Sequence, residues 1–208
     1  MAADKDTILS WLADLSAAIV TDTDDLADVA SRIGVARSLS APAFAAEALD
    51  LMRVIAESVA DAPGFELISI PDTIGIGQTR DAMTILIALG LAVACGRVGW
   101  RARPQARNAR ARVASAGDDG LAVVSVMGGD GADLYSWLSS IVEVACRLIS
   151  DIAANSVPIV KVQTGLSLPS TVLAYQLYGD AVRAADLVDV AGSATPMVMP
   201  TIFDALAS

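Results

Sequence analysis

Few residues of this chain have a type and spacing that could do chemistry. Ser167 and Ser170 carry hydroxyls that could serve as nucleophiles, but the chain contains no histidine and places no lysine close by to act as base. Asp22-Thr23-Asp24-Asp25 and Asp118-Asp119 could offer carboxylates to a cation. Neither run has the alternating Asp-x-Asp-x-Asp-Gly spacing or the distal glutamate of a calcium loop, so both read as solvated turns. Gly75-Ile-Gly77 lacks the third glycine and the preceding strand of a dinucleotide fingerprint. Gly128-Gly-Asp-Gly131 is followed by no Gly-Lys-Ser/Thr, and Asp130 would repel a phosphate, so it reads as a turn before a helix. Cys95 and Cys146 each lie in an apolar run with no second cysteine at a metal or redox spacing, which predicts buried free thiols. The expectation is a protein with no catalytic centre, no metal and no cofactor.

The elements that would position these residues belong to a chain of 208 residues, 54% hydrophobic and only 18% charged. That length allows one domain or two, and that balance demands extensive burial. Aromatics make up 4%, so the apolar content is mostly Ala, Val, Leu and Ile. Small residues suit close helix packing and subunit contacts, as in an assembly component, although a GC-rich genome gives the same bias to a monomer. The net charge of -10 opposes general affinity for nucleic acid or anionic membranes. The opening Met-Ala-Ala-Asp-Lys-Asp lacks a basic segment followed by an apolar one, so synthesis and folding in a host cytoplasm without secretion are expected.

Helical spacing of Ile8, Leu12, Leu15 and Ile19 predicts a first helix over Thr7 to Val20, then a turn, and a second helix from Leu26 to Leu39. Pro42 fits the first turn of a third helix reaching about Ala60. Asp61-Ala-Pro-Gly64 stops that helix, and Phe65 to Ile70 has the partial alternation of a short extended piece. A long helix is predicted from Thr79, and its stretch Ala82 to Gly96 bears no charge. It ends in Arg97 and further arginines, and it is short for a membrane span, so a buried or interface helix is expected. Gly117-Asp-Asp-Gly120 is predicted to form a turn, with Leu121 to Met127 either a strand or the start of a helix. Leu134, Trp137, Leu138, Ile141, Val142, Ala145, Leu148, Ile149 and Ile152 give a helix to about Ala154 with one wide apolar face.

After Asn155-Ser156 the period changes. Val157 to Thr164 alternates like a strand, Ser170 to Tyr178 and Ala181 to Val190 read as two short helices, and Pro196 and Pro200 bracket a final extended stretch. The apolar run Met197 to Phe203 either completes a small sheet, the favoured reading, or docks on a partner. Strand, helix, helix, strand is the outline of a LysM-like module. The predicted fold is therefore mainly α, with a helical region over residues 1–155 and a small α+β LysM-like (βααβ) module over residues 156–208.

Within that module, Leu168-Pro-Ser-Thr-Val-Leu-Ala-Tyr-Gln-Leu-Tyr-Gly-Asp-Ala-Val-Arg-Ala-Ala-Asp-Leu-Val-Asp189 resembles the C-terminal segment of the Mu-like phage tail proteins historically called DNA circularisation proteins. The likeness spans about residues 131 to 203 and extends faintly over Arg80 to Val113. It implies a structural component of the baseplate of a contractile bacteriophage tail or related particle. Such a component would reside in the virion as a homo-oligomer and contact hub, wedge or tape-measure proteins, with no enzyme activity. The alternative is a LysM-type protein that binds glycan or peptidoglycan. Ala191-Gly-Ser-Ala194 stands where such modules tend to carry an asparagine before the last turn, which argues against sugar binding.

Arg97 to Arg112 holds six of the twelve arginines, and Arg103, Arg107 and Arg110 recur at spacings that share a helix face. Three readings remain open for this ridge: DNA in the tail lumen, an acidic partner or neighbouring subunit, or a solvated face. The acidic partner is favoured because the net charge is negative. Tyr175 and Tyr178 end a helix and read as core ahead of a ligand platform. The candidate partner-contacting residues are Arg97, Arg101, Arg103, Arg107, Arg110, Tyr175 and Tyr178.

Overall fold

A computed structural model describes residues 3–207. Among the described residues the chain is mainly helical with one two-stranded antiparallel sheet. It divides into two compact units. The first comprises residues up to Trp100 together with Arg107–Asp151; the second comprises Arg101–Ala106 together with 152 onward. Among the described residues no helix is long and apolar enough to cross a membrane.

In the first unit, α1 (Lys5–Ile19) starts at Asp4, whose carboxylate accepts the Asp6 N–H at 3.1 Å, and buries Ile8, Leu12, Leu15 and Ile19. The run Asp22 to Asp25 is a capping device. Asp22 accepts the amides of Asp24 and Asp25 at 2.9 and 3.1 Å, and the acidic first turn of α2 (Thr23–Ala36) complements the helix dipole. α3 (Ala41–Glu57) carries Pro42 in its first turn and packs along α5 (Gln78–Ala94). Gly77, with φ 148°, opens α5 in a conformation other residues avoid. Met83, Leu86, Ala88, Leu89 and Leu91 are all buried, so α5 is covered around most of its circumference and its uncharged stretch after Asp81 is that of a core helix.

Two expectations for this unit are corrected. Phe65 lies in a short helix, α4 (Ala62–Leu67), where an extended piece was expected. Asp61 accepts the Gly64 N–H at 2.8 Å and Pro63 presets the first turn, and these local signals outweigh the weak alternation after them. Phe65 is fully buried edge-on against Trp100, with ring centroids 5.2 Å apart. Gly117 to Gly120 forms no turn. It lies inside α6 (Arg103–Ser125), which takes Leu121 to Ser125 with it as helix. A Cβ at Gly120 would stand 2.8 Å from Ala88 Cβ, so glycine is there for close helix approach and not for reversal. A single 3₁₀ turn, Gly128–Gly131, then leads into α7 (Ala132–Asn155), whose Leu138, Val142, Ala145 and Ile149 are buried.

The second unit holds β1 (Ile159–Gln163), α8 (Ser170–Tyr178), a 3₁₀ turn at Ala181–Arg183, α9 (Ala184–Ala191) and β2 (Ile202–Leu206). β1 and β2 pair antiparallel, Ile159 opposite Leu206 and Gln163 opposite Ile202. Gly179 ends α8 and Gly192 ends α9 in the left-handed conformation, at φ 71° and 60°. Leu173 and Ala174 of α8, Leu187 of α9, Met199, and Phe203 and Ala205 of β2 form the core, with Val162 and Tyr178 packed at its margin.

Candidate functional site

Most of the arginines between 97 and 112 bind their own chain. Arg103 Nε donates to the Ala153 carbonyl at 3.1 Å, and its Nη2 donates to those of Ala154 and Ser156 at 3.3 Å each. These are carbonyls at the end of α7, so a guanidinium serves as the C-cap of another helix. Arg101 pairs with Asp186 of α9. In the first unit, Arg97 donates to Glu57 O at 3.1 Å, Arg110 to Ser150 Oγ at 2.8 Å, and Arg112 reaches Glu66 and the carbonyls of Phe65 and Ile68. Arg107 differs: it is exposed and has no hydrogen bond or ion pair among the described residues. On the shared helix face Arg107 is thus the guanidinium without a partner among the described residues, while Arg103 is turned to carbonyls and the exposed Arg110 to a serine hydroxyl.

The two tyrosines part company. Tyr175 is 66% exposed on α8. Tyr178 is half-buried, its hydroxyl accepts the Leu206 N–H at 3.1 Å, and the Arg183 guanidinium lies 4.0 Å over its ring. Next to it, Asp180 accepts the Val182 N–H at 2.9 Å and starts the turn into α9. The Tyr-Gly-Asp motif thus works as a helix stop, a restart and a brace on β2. Ser167 donates to the Met199 carbonyl, and buried Ser170 donates its N–H to Pro196 O at 2.8 Å. Both serines hold the loops that enclose the small core.

A surface not anticipated from the sequence lies in the first unit. An apolar groove of about 780 Å³ runs between Phe44, Ala48 and Leu49 of α3, Ile85 and Leu86 of α5, Val123 near the end of α6, and Val126 and Met127 just beyond it. Its polar rim is Lys5, Gln78 and Asp81. Lys5 Nζ sits 5.3 Å from the Phe44 ring centre and donates to Leu39 O at 2.6 Å. A second depression shares Leu49 and Leu134 with it and is edged by Trp137, Asp50 and Arg53. Val126 and Met127 are exposed, and so is Trp137. Their signal in the sequence was an apolar run whose helical phase was ambiguous and a tryptophan at the margin of the α7 face.

The groove can shelter apolar groups, and its polar side chains, Lys5, Gln78 and Asp81, are confined to the rim. Among the described residues no group of three His, Cys, Asp or Glu side chains could hold a metal ion. Both cysteines are free; burial pushes the Cys95 thiol up to about 12 and raises that of Cys146 as well. No protein-family model matches the chain, and no curated protein matches it.

Proposed function

We propose that this chain is a non-catalytic structural component of a contractile phage-tail baseplate, residing in the virion as a homo-oligomer and binding hub, wedge or tape-measure proteins through its second unit and its exposed apolar surface. One observation carries the reading. The Ala174-Tyr-Gln-Leu-Tyr-Gly-Asp180 segment that resembles the Mu-like tail proteins ends a helix at Gly179 in a strand, helix, helix, strand order, the outline of a LysM-like module. The internal use of the arginines supports it from another side: with Arg101, Arg103, Arg110 and Arg112 engaged within their own chain and a net charge of -10, affinity for DNA has little to draw on. A groove walled mainly by apolar side chains, with Lys5, Gln78 and Asp81 at its rim, suits a protein that holds others.

The test is composition of the particle. Tails purified from cells carrying the gene are expected to contain the polypeptide in stoichiometric amount by mass spectrometry, and deletion of the gene is expected to leave tails without a finished baseplate. Complete tails lacking the polypeptide would reject the reading. Retention of the purified chain on peptidoglycan sacculi would favour the glycan-binding alternative.

A further inference from the structure

The β1–β2 pair has two edges, and the hydrogen-bond phase shows which backbone groups each one leaves open. Thr164 N donates to Thr201 O at 2.8 Å and Ala207 N to Pro158 O at 2.9 Å. With the observed register, residues 158, 160, 162 and 164 of the first strand therefore face β2, while Ile159, Lys161 and Gln163 direct their N–H and C=O groups to the other side. On the outer edge of β2, the Leu206 N–H is taken up by Tyr178. On the outer edge of β1, the backbone groups of Ile159, Lys161 and Gln163 have no partner among the described residues. The chain itself lays an extended residue on that edge just upstream: Ala102 bridges Val157 in parallel sense, and Arg103 N donates to Val157 O at 3.1 Å, before α6 turns away. The edge thus takes one bridging residue at Val157, and the outward positions at Ile159, Lys161 and Gln163 follow it without a partner among the described residues.

We infer that the β1 edge is a docking site for an extended segment of a partner protein, which adds a third strand with acidic side chains on the Lys161 face and apolar ones on the Val160 face. The outer face of the pair carries Lys161, exposed and directly opposite Asp204, so a neighbouring strand places its carboxylate on the free side of the ammonium. The inner face carries Val160 and Val162. Val160 remains 42% exposed, because the core residues of α8 and α9 gather on Phe203 and Ala205 of β2, and an apolar residue of the added strand would cover it. A second copy of β1 is the wrong occupant. Antiparallel pairing in the register that engages all five residues sets Lys161 against Lys161 of the other copy, and like charges placed so resist pairing. This inference rests on the β1 edge alone and not on the tail reading.

The probe is a short synthetic peptide of alternating valine and glutamate, added in excess to the full chain, with hydrogen exchange followed residue by residue. In the free chain the amides of Ile159, Lys161 and Gln163 are expected to exchange fast and those of Val160 and Val162 slowly. The peptide should slow the first three by roughly tenfold. Lys161→Pro removes an outward N–H without removing a bond to β2, so it should abolish that protection while Val160 and Val162 stay slow. Lys161→Glu should shift the preference to a valine and lysine peptide. Protection of the three amides in the free chain, no slowing by the peptide, or equal slowing in Lys161→Pro would each overturn the inference. Failure here leaves particle composition to decide the proposed function.

Discussion

Gly117 of α6 and Val142 of α7 stand so close that a Cβ on the glycine would lie 2.5 Å from Val142 Cγ1. The side chain it would meet is β-branched and buried, with few rotamers to escape into. Gly117→Ala is therefore expected to destabilise the fold by about 1–3 kcal/mol through overpacking, although alanine is the better helix former by about 1 kcal/mol. Gly34→Ala, in α2 with nothing within 4 Å of the added carbon, should raise stability by about 0.4–1 kcal/mol. Denaturant melts of both variants test the pair; equal signs would mean that α6 and α7 are not in contact at this point.

Arg103 and Arg107 should separate when each is reversed to glutamate. Arg103→Glu removes the donor to three carbonyls and is expected to cost about 1.5–3 kcal/mol of stability. Arg107→Glu should leave the melting temperature within about a degree of the parent, since an exposed side chain without partners contributes little. If docking on acidic surfaces matters to assembly, Arg107→Glu should impair incorporation into particles without any loss of fold. A stable Arg103→Glu variant would contradict the capping role.

Arg32 joins α2 to α3 by pairing with Glu47 at 2.8 Å and Asp50 at 2.7 Å. The hydrogen bond from Arg32, then that from Arg53, holds the Asp50 carboxyl below its ordinary value of 3.8. A depressed carboxylate contributes stability that is present above the unfolded value and disappears as pH falls through the lower folded one. Arg32→Leu should thus cost about 1 kcal/mol or less at neutral pH, given the partial exposure of all three groups. It should also flatten the loss of stability on acidification below about pH 4, measured as the denaturation midpoint against pH.

Burial of Cys95 makes its thiol a poor nucleophile. In the folded chain iodoacetamide is expected to label the half-buried Cys146 well before Cys95, and raising the pH to 9 or 10, still below the Cys95 value of about 12, should not close the gap. Because the folded value lies above the ordinary 9.0, the stabilising preference is intact below pH 9 and is lost as pH climbs towards 12. Faster labelling of Cys95 than of Cys146 would show that the C-terminal end of α5 opens to solvent.

What the sequence disclosed depended on how local the cause was. The faces of α1 and α7, the start of α3 around Pro42 and the change of period after Ser156 are set by neighbours a few residues apart, and all were readable as helix or strand. Gly117 to Gly120 was misread because a glycine needed for close approach has the same composition as one needed for a turn, and only α5 and α7 distinguish them. Phe65 was misread because the weight given to alternation hid the Asp61 cap. The arginines have a legible spacing, but the acceptors of Arg103 lie some fifty positions downstream, and nothing in the periodicity of α6 says which guanidinium will be left over.

Tyr178 occupies the amide of Leu206 with a hydroxyl that cannot continue a strand ladder. Stacking modules end to end into a filament would require each copy to offer two receptive flanks, one to give and one to take. Here the β2 flank is blocked at Leu206 while Ile202 and Asp204 keep outward backbone groups, so a strand laid on that flank loses a ladder bond at its Leu206 end and end-to-end stacking through this sheet is weakened there.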